Sequence, residues 1–145
     1  MTEILYVSDG FFHPPRQARQ IVRDVVTAVP GIQITQVKTL NHLLKLDMTR
    51  FKALVLYVHH KHIALDTLAA LEQFVQKGGG LLAIHSATAS FKEQPRYAEL
   101  VGGRFTGHGP VEPITIRPAA ANDEIFGEIG AFTVTDELYL HELQP

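Results

Sequence analysis

The sequence predicts an α/β fold with a mainly parallel sheet covered by helices on both faces. Three observations carry this: short apolar runs closed by turn residues, amphipathic stretches between them, and a strand–helix alternation sustained along the chain. Ile4–Val7 is a continuous apolar run ended by Ser8-Asp9-Gly10, the pattern of a strand buried on both faces. Pro14 and Pro15 open a helix, where a missing N–H leaves nothing unpaired. Ile21, Val22, Val25, Val26 and Val29 then recur as one apolar stripe, and Pro30-Gly31 ends it. Ile32 to Val37 alternates apolar and polar residues as an edge strand does, and Thr39 to Leu46 reads as a short helix.

Ala53 to Val58 is the clearest strand and runs straight into His59-His60-Lys61-His62. Asp66 reads as the N-cap of a helix carrying Leu68, Leu71, Phe74 and Val75. Lys77 and the glycines 78–80 close that helix; they precede a strand rather than a helix, the reverse of a phosphate-binding loop. Leu81–Ile84 is the next buried strand and leads into His85-Ser86. A helix around Arg96 to Val101 ends at Gly102-Gly103, a strand follows at Ile114 to Arg117, Asn122 to Gly130 is a short helix or turn, and Phe132 to Leu140 is a last strand. The order places the first strand centrally. No repeat, low-complexity segment or linker interrupts it, so residues 1–145 read as one domain.

Composition narrows the function. The 145 residues are 46% hydrophobic and 19% charged, and a chain of this size buries roughly 70% of its unfolded surface. A net charge of −2 gives no basic face for nucleic acid. The absence of cysteine removes disulfides, zinc–thiolate sites and any thiolate nucleophile. Met1-Thr2-Glu3 has no basic n-region, and no apolar run approaches the ~20 residues that span a bilayer. The expectation is a soluble cytoplasmic protein with no membrane partner.

Histidine is the unusual count, at eight. Ligands of open parallel sheets bind outside the carboxyl ends of the strands. The first predicted strand leads to His13, the third to His59, His60 and His62, and the fourth to His85, so the sequence predicts a histidine-lined cleft at one sheet edge. Histidine there can serve as acid, base, metal ligand or polar contact. His42, His62 and His141 read as ordinary loop histidines. Burial at a strand end is expected to mark out His85. Ala83-Ile84-His85-Ser86-Ala87 also has the small-x-X-x-small frame of a nucleophile elbow, with histidine at its centre and Ser86 one position late. Asp9 either orients a histidine in the cleft or closes a turn.

Gly78-Gly79-Gly80-Leu81-Leu82-Ala83-Ile84-His85-Ser86-Ala87-Thr88 resembles the central motif of the ThuA-like (trehalose-utilisation) family. The segments Tyr97 to His108 and Thr135-Asp136-Glu137-Leu138-Tyr139 resemble its next glycine–aromatic block and its later acidic block, in the same order. The resemblance implies a flavodoxin-like three-layer α/β/α sandwich of the class I glutamine amidotransferase-like kind, and a link to disaccharide or keto-sugar metabolism. It implies catalytic roles for His85, His108 and Glu137; His13, His59, His60 and Ser86 are the candidate substrate contacts. The glycines at 102, 103, 107 and 109 are read as letting a loop bring His108 back over the sheet. Two departures stand out: Gly109 follows His108 where relatives often carry proline, and the chain stops at Pro145 where many relatives continue. The stop reads as that of a short member, of a fragment, or of a chain whose sheet a partner completes; apolar surface left uncovered by it predicts a homo-oligomer.

Two functions remain open at this stage. One is an enzyme using histidine acid–base chemistry on a sugar-derived carbonyl compound, with a variant in which histidines and a carboxylate hold zinc or another divalent ion. The other is a non-catalytic sugar-binding domain working with a partner oxidoreductase. A glutaminase falls with the missing cysteine.

Overall fold

A computed structural model describes residues 1–10, 15–119, 124–126 and 128–144. The chain divides into two compact units, Met1–Arg104 with Leu143–Pro145, and Phe105–Glu142.

The first unit is α/β, as predicted. It contains β1 (Thr2–Gly10), α1 (Pro15–Thr27), β2 (Ile32–Val37), β3 (Phe51–His59), α2 (Leu65–Gln76), β4 (Gly80–Ala83) and α3 (Pro95–Val101). Its sheet has the order β2-β1-β3-β4 with every pairing parallel, so β1 is internal and β2 lies at an edge. Residues alternate between faces along a strand. Leu5, Val7, Leu54, Leu56 and Val58 therefore share one face, where they form the core with Leu68, Leu71 and Phe74 of α2. The opposite face carries Tyr6, Ser8, Val55 and Tyr57, all outside that core cluster. Arg19 of α1 reaches this face: its Nε donates to Ser8 Oγ at 2.7 Å and a terminal nitrogen to the Ser8 carbonyl at 3.0 Å.

Several local expectations change. The stripe on α1 is only half used: Val22 and Val26 are partly buried, whereas Ile21 and Val25 stay above 60% exposed. Asp66 is not the N-cap of α2. Ala64 takes that place, and the Asp66 carboxylate instead accepts from the Thr67 N–H at 2.6 Å inside the first turn. The predicted helix at 39–46 is a 3-10 helix over Leu40–Leu44. Gly102 ends α3 with φ +82°, a left-handed conformation open to glycine.

The second unit is built on a two-stranded sheet of β5 (Gly103–Ile116) and β6 (Phe132–Leu143). Thr106 Oγ1 donates to the Leu140 carbonyl at 3.1 Å and Thr115 Oγ1 meets Thr133 Oγ1 at 3.1 Å, so the pairing is antiparallel. Thus β5 starts well before the predicted strand at 114 and pairs with β6 rather than extending the parallel sheet. Gly107 and Gly109 lie inside this strand, and His108 sits on it and not on a loop. The predicted turn at 122–130 falls partly outside the described residues; 124–126 is a turn. Among the described residues no helix is long and apolar enough to cross a membrane.

Leu56 is fully buried at the centre of the sheet. Leu56→Ala is expected to lower the unfolding free energy by about 2–5 kcal/mol, through lost burial and a residual cavity. Urea titration followed by circular dichroism measures it.

Candidate functional site

Parallel pairing brings the carboxyl ends of β1, β3 and β4 to one edge. Gly10 pairs with His59, Leu56 pairs with Ala83, and the Ile84 N–H continues the ladder to the Leu56 carbonyl at 2.9 Å. Gly10 permits this approach: at φ +145° a Cβ there would lie 3.2 Å from the His59 Cβ. Asp9 orients a histidine; residues 11–14, where the turn it could close would fall, lie outside the described residues. Its Oδ1 accepts the Gly10 N–H at 2.9 Å, and its Oδ2 lies 3.1 Å from His60 Nε2. A carboxylate only accepts, so Nε2 carries the hydrogen in the neutral ring and the lone pair falls on Nδ1. The His60 ring stacks on Phe91 at 6.4 Å and 15°. With its side chain 41% exposed, the pair adds little stability; its effect is to orient the imidazole. A cavity of about 510 Å³ opens here, with His59, His60, His62, Phe91, Lys92 and Glu93 among its lining residues.

One buried hydroxyl ties this edge together. Ser90 Oγ lies 3.0 Å from both the Val58 and Ser86 carbonyls, which share its single hydrogen, and it accepts the His60 N–H at 3.2 Å. The end of β3 is thereby joined to the 3-10 helix His85–Ala89. Tyr97 adds a second tie, its buried hydroxyl donating to the Ala87 carbonyl at 3.0 Å. Burial pushes the Tyr97 hydroxyl pKa well up, so it stays a donor at every ordinary pH.

His85 has φ +54°, a left-handed conformation that costs a non-glycine residue about 1–2 kcal/mol. This is the tight strand-to-helix turn that the elbow frame predicts. The ring is exposed rather than buried and stacks on Tyr57 at 6.0 Å and 21°. Burial therefore does not mark out His85, contrary to expectation; backbone strain does. Ser86 turns inward, 5% exposed, and its Oγ has no hydrogen-bond partner among the described residues.

In the second unit, His108 Nδ1 lies 3.3 Å from Glu137 Oε1 and 2.9 Å from the Gly109 carbonyl. The pairing of β5 with β6 thus joins two residues 29 positions apart that the acidic and glycine–aromatic blocks singled out. His13 lies outside the described residues. His42 bonds Thr39 and His141 packs on Phe105. His62, read as an ordinary loop residue, lines the cavity beside His60. Asp9, for which the sequence left two roles open, and Ser90, to which it gave none, are the contributors beyond the predicted site residues. The run Ser8-Asp9-Gly10 hinted at the first; nothing marked the second. Among the described residues no three histidines or carboxylates converge to hold a metal ion, so the zinc variant has no ligand set there.

His85→Gly is expected to unfold at the same or a higher temperature, by up to about 1 kcal/mol, because glycine adopts this φ without strain. A clear loss of stability by calorimetry would make the imidazole a structural element. Ser90→Ala is expected to destabilise by about 1–3 kcal/mol, because it leaves the part-buried His60 N–H and two carbonyls short of a partner. Amide hydrogen exchange at His60 should accelerate with it.

The comparisons with known proteins agree with this architecture. A ThuA-like protein from Parabacteroides merdae ATCC 43184 superposes with a TM-score of 0.81 at 14% identity, over 95% of this chain and 62% of that one. A ThuA-like protein from Bacteroides uniformis ATCC 8492 gives 0.75 at 15% identity, over 97% and 61%. At such identity the likeness establishes the fold, and the chain spans about three-fifths of the length of these structures. No curated protein matches it. The pattern of the ThuA family, described as trehalose utilisation, matches residues 3–145, and the chain belongs to that family.

Proposed function

We propose that the chain binds a sugar or sugar-derived carbonyl compound at the carboxyl edge of its parallel sheet and acts on it by histidine acid–base chemistry. The Asp9–His60 pair carries this reading. A carboxylate 3.1 Å from one ring nitrogen leaves the other as a base, and Phe91 fixes the ring plane beside a ligand-sized cavity. A positioned histidine typically contributes ~10²–10⁴-fold to a proton-transfer step. His85, His59 and Ser86 belong to the same edge by strand order, and His13 follows β1 in sequence. His108 and Glu137 form a second acid–base pair, and the family resemblance gives them catalytic roles. The family description supplies the sugar. The elbow position holds His85, so thiolate chemistry of the glutaminase type has no nucleophile there.

A second reading is favoured by the exposure of the His60 and His85 rings. A water-washed histidine is a better hydrogen-bonding contact than a tuned catalyst, which suits a binding domain that presents its sugar to a partner oxidoreductase.

Titration calorimetry with trehalose, glucose and fructose, paired with a turnover assay on the same sugars, tests both. The expected result is binding that weakens at least tenfold in His60→Ala and Asp9→Asn. Turnover lost in the same variants selects the enzyme; binding without turnover selects the binding domain. No heat with any of the three sugars would sink both.

A further inference from the structure

We infer that Tyr139 is a positioning residue that aims the Glu137 carboxylate and thereby holds His108 in the tautomer whose basic nitrogen is Nε2. Glu137 and Tyr139 stand two apart on β6 and so share a face of the sheet. The Tyr139 hydroxyl donates to Glu137 Oε2 at 3.1 Å, which leaves Oε1 to face His108 Nδ1 at 3.3 Å. The backbone of the acid is fixed as well, its N–H donating to Asp136 Oδ1 at 2.8 Å. The groups nearest to His108 Nδ1, the Glu137 carboxylate and the Gly109 carbonyl at 2.9 Å, are both acceptors, so this nitrogen carries the hydrogen. A histidine side chain in water favours the other tautomer, with the hydrogen on Nε2; His108 is held against that preference.

Ring contacts fix the geometry. Phe105 stacks on His108 at 6.2 Å and 24°, and the Tyr139 ring meets His108 edge-on at 6.0 Å and 74° and Phe105 at 5.5 Å and 66°. A loose surface ion pair, worth about 0–1 kcal/mol, needs neither the phenol nor the aromatic frame. Joined to the reading that His108 and Glu137 act on a ligand, on which its functional meaning rests, the arrangement assigns the step. His108 Nε2 takes a proton from a ligand hydroxyl or from a carbon beside a carbonyl. The resulting imidazolium is paired with Glu137, and the proton is returned when the product forms.

The test is the nitrogen-15 spectrum of the His108 ring in ligand-free protein, in the wild type and in Tyr139→Phe. That substitution keeps the ring and removes only the hydroxyl at a residue already 37% exposed, so the fold should tolerate it. The wild type is expected to show the Nδ1–H tautomer. Tyr139→Phe is expected to shift the tautomer ratio about fivefold toward Nε2–H, the effect of one lost hydrogen bond. Glu137→Ala should shift it at least as far, and serves if the first variant folds poorly. A wild-type ring already in the Nε2–H form, or a ratio unmoved by either substitution, would overturn the inference. The spectrum needs no ligand, so an unmoved ratio overturns the positioning role even where sugars bind. A shifted ratio supports it even where none of the three sugars does, a result that counts against the functional reading alone.

Discussion

The parallel register of β1, β3 and β4 is the constraint on which the rest of the first unit depends. Strands that run the same way must all end at the same edge, and the residues that follow them must share that edge. Gly10 against His59 and Leu56 against Ala83 fix where each strand stops. A slip of one residue would turn Leu54, Leu56 and Val58 away from α2 and would point Asp9 away from His60. The burial that fixes the register thus also aligns the acid with its histidine. The apolar face holds the strands in place, and the polar edge follows from their ends.

That edge is stitched by few groups. The Ser90 hydroxyl bridges the end of β3 to the turn at His85–Ala89, and the Tyr97 hydroxyl ties the same turn to α3. Two non-glycine residues in left-handed conformations, His85 and Phe91, bracket this stretch. Such conformations persist only where surrounding contacts over-determine them. Phe91 is buried against Tyr97 at 4.8 Å, edge to face, whereas His85 is exposed. The strain at Phe91 is explained by packing. At His85 the ring stacks on Tyr57, and the 3-10 turn His85–Ala89 that follows is bonded to the end of β3 through Ser90.

The two faces of the sheet are unequal. The α2 side is closed by leucines and Phe74. The α1 side mixes Tyr6 and Ser8 with Val55 and Tyr57, and Leu82 of β4 is 56% exposed. Burial raises the pKa of the Tyr6 hydroxyl, and the nearby Ser8 and Arg19 partly offset it. Polar groups on this face are held by a few directed bonds, chiefly those from Arg19 to Ser8, where the other face relies on area.

The sequence by itself determined the four strands of the parallel sheet, their succession along the chain and their apolar faces, because hydrophobic periodicity is a local property that the fold obeys. Val7, Leu54 and Leu56 stood out for that reason, and so did the histidines at strand ends. The elbow frame at 83–87 was legible because small residues are a steric precondition of the turn. Pairing partners were not legible. That Asp9 meets His60 depends on β1 lying beside β3, and that Glu137 meets His108 depends on β5 turning back along β6; no local pattern encodes either. Gly107 and Gly109 looked like a flexible loop, yet they sit in a strand, because cross-strand bonding overrides a weak β propensity. Exposure is no more a local property than pairing is. An apolar stripe on α1 and a strand-end position for His85 say which residues can be buried, and only the tertiary neighbours decide which of them are.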